Sequence, residues 1–126
     1  MRSVTEAGNL KSNGHYSLAM VHQHTVYVSG QFSIDPLTQE KKLGTFEEEM
    51  LQTLQNIELI VCQAGSNKKQ IVQVIIYTPH KNQQSQIMHI FNEFFSGLQP
   101  LCSIVTTNEL HYGFQLEIEA VAYISK

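Results

Sequence analysis

The sequence predicts an α+β fold, two helices packed on one face of a mixed β-sheet. Two segments, 46–64 and 82–96, carry apolar residues at spacings of three and four, the period of a helix with one buried stripe. Around them lie short β-branched runs bounded by turn residues, and the elements read in the order β-β-α-β-α-β-β. The 126 residues, free of internal repeats and low-complexity tracts, suffice for a single domain, 1–126, with a core of its own.

Residues 1–13 show no periodic pattern and read as a loose segment. A hairpin is predicted next, with strands at Tyr16–Val21 and Thr25–Ser29 around His22-Gln23-His24, Val26 and Val28 facing inward. Asp35-Pro36 marks a turn. Thr45, followed three residues later by Glu48, forms a capping box that starts a helix at Phe46, and Glu47 and Glu49 add negative charge where the helix dipole favours it. Met50, Leu54, Ile57, Val61 and Ala64 form its buried stripe, Gly65 supplies a left-handed stop, and Cys62 reads as core.

Ile71–Tyr77 is apolar almost throughout, the composition of a central strand covered on both faces, and Thr78-Pro79 ends it. The second helix is predicted over Asn82–Ser96, with Ile87, Ile90, Phe91, Phe94, Phe95 and Leu98 on one side and Gly97 and Pro100 closing it. Ser103–Thr107 and Phe114–Ile124 are the last strands. In the latter, Phe114, Leu116, Ile118, Ala120, Ala122 and Ile124 share one face, while Gln115, Glu117, Glu119, Val121 and Tyr123 share the other. Nothing in the chain covers that second face, so self-association is expected.

Charge and composition exclude several function classes. A net charge of −3, with lysines scattered rather than gathered, gives no electrostatic basis for binding nucleic acid. No apolar run approaches the ~18 residues of a membrane span, and no secretion signal opens the chain, so a cytoplasmic protein that does not meet a membrane is expected. Cys62 and Cys102 are expected as thiols. His22 and His24 could share a side, yet no third ligand is placed by sequence, so neither metal nor cofactor is expected. The only arginine is Arg2, in the segment read as loose; an anionic ligand would have to be held by backbone N–H groups, lysines or hydroxyls.

Five short motifs occur in order: Gly14-His15-Tyr16-Ser17, Ser29-Gly30-Gln31, Gln55-Asn56-Ile57 with Ala64-Gly65, Phe91-Asn92-Glu93-Phe94-Phe95, and Glu117-Ile118-Glu119-Ala120. Each is weak alone. Together, from Gly14 to Ile124, they resemble the Rid/YjgF family, small trimeric proteins best known as enamine and imine deaminases. The resemblance implies a chorismate mutase-like α+β sandwich, a homotrimer, and ligand clefts between subunits. It also implies that Tyr16, Ser29, Gly30, Cys102 and Glu119 line the cleft, with His15 bordering it where the family has proline. In Pro100-Leu101-Cys102-Ser103, Cys102 stands where the family keeps an arginine.

The implied chemistry is hydrolysis of a 2-imino acid to a 2-keto acid and ammonia. The arginine would hold the carboxylate, and the glutamate would position a water for attack on the C=N carbon. Glu119 is present for the second task, but Cys102 cannot do the first, since a thiol offers one weak donor and a thiolate repels an anion. A lost charge-assisted contact costs about 1.5–3 kcal/mol, so short 2-imino acids are expected to be poor substrates. The rest of the pocket also departs from the family pattern, with Ile104 in place of a frequent cysteine and Leu110-His111 in place of Leu-Pro. A small carbonyl or imine metabolite less anionic than an imino acid is the expected ligand.

Other readings of these residues stay open. Cys102 is either a small buried hydrophobe at a strand start or a ligand contact or redox-sensitive thiol. Glu117 and Glu119 read by default as solvated carboxylates, and only the resemblance singles out Glu119. His15 and His111 are candidates for a donor in place of the missing charge. Three functions follow: a trimeric binder of a small metabolite, an enamine/imine deaminase with another carboxylate anchor, or a chaperone-like interaction protein.

Overall fold

The computed structural model describes residues 1–12 and 14–125. Its main sheet holds six strands: β1 (Arg2–Val4), β4 (Ala19–His22), β5 (Thr25–Gln31), β8 (Glu117–Tyr123), β6 (Ile71–Thr78) and β7 (Leu101–Thr106), in that spatial order. β6 and β7 run parallel, joined through the helix between them; the other neighbours are antiparallel, so the sheet is mixed. A small separate hairpin, β2 (Glu6–Ala7) with β3 (Leu10–Lys11), turns at Gly8, whose φ of 60° favours glycine.

The helices are α1 (Phe46–Gln63) and α2 (Gln84–Phe95). At the start of α1, Glu48 N–H donates to Thr45 Oγ1 at 3.1 Å and Thr45 N–H donates to Glu48 Oε1 at 2.9 Å, completing the capping box. At its end Gly65 N–H reaches Cys62 O and Ser66 N–H reaches Val61 O, a Schellman closure with Gly65 at φ 100°. α2 begins two residues later than its periodicity predicts, at Gln84, and its N-cap residue Gln83 makes no side-chain cap.

Both helices cover one sheet face. Met50, Leu54, Ile57, Ile60 and Val61 of α1 and Ile87, Ile90, Phe91 and Phe95 of α2 pack on Val26, Val28, Val74, Ile76, Ile118 and Ala120, all buried. That assembly of apolar side chains supplies the main driving force for the fold. Within one chain β6 is covered on its helix side alone, and Val72 sits exposed at a register shift against β8.

Three expectations are corrected. The described part of the segment expected to be loose over 1–13 is not loose: Arg2–Val4 adds to β4, Val4, Ala7 and Leu10 are buried, and Arg2 Nη2 donates to Ala64 O at 2.7 Å. The segment pairs with a strand distant in sequence, so three residues carried no local signature; Asn13 lies outside the described residues. Arg2 is thereby part of a paired strand. Cys62 is exposed rather than core, since it lies off the α1 stripe. β8 starts at Glu117 rather than Phe114, because Gln115 turns aside to bond Glu49 through both its backbone N–H (3.1 Å) and its amide (2.9 Å).

Candidate functional site

On β8, alternate residues point to the uncovered face, which brings Glu117 and Glu119 to the same side as Val121. Opposite them, β6 places Tyr77 against Glu117 and Ile75 against Glu119. The Tyr77 hydroxyl reaches diagonally and donates to Glu119 Oε1 at 2.5 Å. This bond, reinforced by burial and by the Glu119 and Glu117 charges, pushes the Tyr77 phenol above its ordinary value, so it stays a donor at neutral pH.

β5 approaches β8 from the other side and breaks register at Ser29 and Gly30, between the pairs Val28↔Ala120 and Gln31↔Ile118. The bulge turns the strand so that Glu117 lies directly over Gly30. A Cβ at position 30 would sit 2.0 Å from Glu117 Oε2, so a glycine is required there while Glu117 keeps its place. The Ser29 hydroxyl donates to Leu18 O at 2.9 Å and lies 3.1 Å from Ser17 O, tying the bulge to the segment that carries Tyr16.

These constraints bring four of the predicted residues together. His15, Tyr16, Ser29 and Glu119 line one open concavity of about 570 Å3, floored by Met20 and Tyr27. Gly30 borders a second, larger one, which it shares with Tyr16. Cys102 is apart from both. It pairs with Val74 on edge strand β7, on the helix side of the sheet, half-buried against the core beside Ile104. Burial pushes its thiol up, away from the thiolate form. Within one chain, then, Cys102 and Glu119 lie on opposite sheet faces with β6 between them. Among the described residues no group of three or more His, Cys, Asp or Glu is placed to hold a metal.

Two residues of this cluster escaped the sequence reading, Tyr77 and Glu117. Tyr77 reads as one more residue of an apolar strand; only the pairing register reveals its partner. Glu117 differs from a solvated carboxylate because burial raises its pKa, with the Glu119 charge pushing the same way and His111 pulling back. A carboxyl raised in the folded state stabilises the fold fully below its unfolded value of about 4.5 and loses that contribution as pH rises through the folded value. Glu117→Gln is therefore expected to stabilise the protein at pH 7 by about 0.5 kcal/mol, a solvent-screened effect, and the gain should close below pH ~4.5. Urea midpoints at the two pH values check it.

The family model described as "Endoribonuclease L-PSP" matches residues 7–124, nearly the whole chain. The chain belongs to the Rid/YjgF family. Among its relatives, a RutC family protein from Pyrococcus abyssi is 30% identical over 90% of this chain and 89% of that one. A rat 2-iminobutanoate/2-iminopropanoate deaminase is 31% identical over 86% of this chain and 80% of that one. The solved structure of a Rid-family protein of unknown function from Yersinia pestis superposes with a TM-score of 0.90 at 34% identity, covering 97% of this chain and 98% of that one. The two helices on a mixed sheet are thus the Rid fold, and no helix among the described residues of this Rid chain is long and apolar enough to cross a membrane.

Proposed function

We propose that this Rid chain works as a homotrimer that binds a small carbonyl or imine metabolite in a cleft between subunits, with Glu119 acting on the ligand and His15, Tyr16, Ser29 and Gly30 shaping its site. The observation that carries this reading is the convergence of His15, Tyr16, Ser29 and Glu119 on one concavity, with Glu119 fixed by Tyr77. The open sheet face supports assembly: Tyr27, Tyr123, Leu101 and Val105 are exposed there, an apolar surface of the kind that subunit contacts bury. A site containing both Cys102 and Glu119 would need a second copy, since they lie on opposite faces of one chain's sheet.

The Tyr77–Glu119 bond and the imine deaminase relatives favour hydrolysis as the chemistry. Water adds to the C=N carbon as Glu119 takes its proton, the nitrogen is protonated, and the C–N bond breaks to leave a carbonyl and ammonia. Ribonuclease activity is not carried over from the family description, because a chain of net charge −3 with one arginine has little with which to grip a phosphate backbone.

Ammonia release from short 2-imino acids, generated in situ by an amino acid oxidase, tests this reading beside light scattering of the purified protein. A trimeric mass is expected, with slow release by the wild type and at least tenfold faster release by Cys102→Arg, the gain of a charge-assisted anchor. Rapid wild-type turnover would refute the weak handling of imino acids, and a monomeric mass would refute the cleft.

A further inference from the structure

The larger concavity, about 650 Å3, falls within the ~300–1,000 Å3 typical of small-molecule sites, and the reaction at Glu119 does not use most of it. Its floor is apolar and buried, formed by Leu10, Leu18 and Phe114. Phe32 stacks on Phe114 with ring centroids 4.8 Å apart, and Tyr112 stands edge-on to Phe114 at 6.5 Å. The rim is of the opposite character: Lys11, Lys41 and His111 line it, and among the described residues the one carboxylate that acts on them from behind the lining is Glu117, packed over Gly30 and coupled to His111.

Two features mark this rim as more than a solvated surface. Lys41 Nζ lies 4.7 Å from the centroid of the Tyr112 ring, a cation–π contact that stations the ammonium at the mouth, and among the described residues Lys41 makes no ion pair. Tyr112 holds that position with φ of 59°, a left-handed conformation that a bulky side chain rarely adopts, and remains 73% exposed. An exposed ring is thus kept in a costly conformation over Phe114, which is buried, and Phe32, which is half-buried, beside the Lys41 ammonium.

From this arrangement we infer that the concavity between the 32–41 segment and the His111–Gly113 turn binds an organic anion with a flat apolar body, its carboxylate held by Lys41 with Lys11 and His111 near by. A polyanion is disfavoured by the chain's net charge of −3, whereas a single carboxylate on an aryl or hydrophobic stem matches both floor and rim. This goes beyond the cleft reaction: Glu119 does not line the concavity, which has Tyr16 and Gly30 in common with the residues assigned to the Glu119 site.

The test uses 3-phenylpropanoate and its neutral amide as probes, titrated into the intact protein and followed by NMR shifts. The acid is expected to bind at least tenfold tighter than the amide, shifting Phe32, Tyr112 and Phe114. Lys41→Gln should reduce the acid to the amide's affinity, and Lys41→Arg should restore it to within about threefold. Both variants change an exposed side chain, and an unchanged melting temperature confirms their fold. Equal affinity for acid and amide, no binding of the acid, or indifference to Lys41→Gln would overturn the inference. Glu119→Gln separates it from the cleft reaction: the acid's affinity should survive that change, and its loss would show that the acid sits in the Glu119 site instead.

Discussion

Glu119→Gln is expected to lower imine hydrolysis by about 10²–10⁴-fold, in the wild type and in Cys102→Arg alike. The carboxylate has two oxygens, and Tyr77 occupies one at 2.5 Å, which fixes the side chain and leaves the other to accept from a water. Glutamine keeps the shape and can still accept from Tyr77, but its amide nitrogen cannot take a proton from that water. The loss should therefore fall on kcat, with KM little changed. Tyr77→Phe is the companion variant. It leaves the base in place and removes only the donor that orients it, so a smaller loss, about tenfold, is expected. Equal activity of Glu119→Gln and wild type would remove Glu119 from the chemistry.

For the fold, the largest single effect is expected from Glu49→Ala, a loss of about 3 kcal/mol. Glu49 is 2% exposed, yet its carboxylate accepts from Gln115 N–H at 3.1 Å, from the Gln115 amide at 2.9 Å and from Gly44 N–H at 3.4 Å. Truncation removes the acceptor shared by the half-buried Gln115 N–H, its amide and Gly44 N–H, and half-buried donors left unpaired cost more than the bonds had contributed. Since Gln115 precedes β8 by two residues, the same change loosens the approach to Glu117 and Glu119. Urea denaturation should show the lower midpoint, and a shift under about 1 kcal/mol would mean that water replaces the carboxylate.

Glu49 also illustrates what the sequence could convey. It reads as one of several acidic residues placed to suit a helix dipole, which is a local statement and a sound one for Glu48. Its partner, Gln115, is far along the chain, and no local pattern announces the contact. The helices were legible because a stripe repeating every three to four residues, a capping box and a stop glycine are all short-range signals, as in α1. β1 was not, because its hydrogen bonds depend on β4 and not on its own composition. In the candidate site, Glu119, Tyr16, Ser29 and Gly30 were singled out through motif order, whereas the Ser29–Gly30 bulge and the Tyr77 bond depend on how strands pair. The chain places Cys102 on the helix side of its strand, a matter of alternation that a motif match does not convey.

β7 lies at one end of the six-stranded sheet, with Leu101 63% exposed and Val105 also turned outward. Its outer backbone groups offer a pairing surface that any extended chain can extend, and no charged residue guards the strand from Leu101 to Thr106. The colloidal behaviour of the protein is therefore tied to whatever occupies that border. Conditions that strip the border bare at ordinary protein concentration, such as mild denaturant, favour fibrous or amorphous association as well as unfolding. Handling losses would then begin at this strand before the core, built around α1 and α2, has opened.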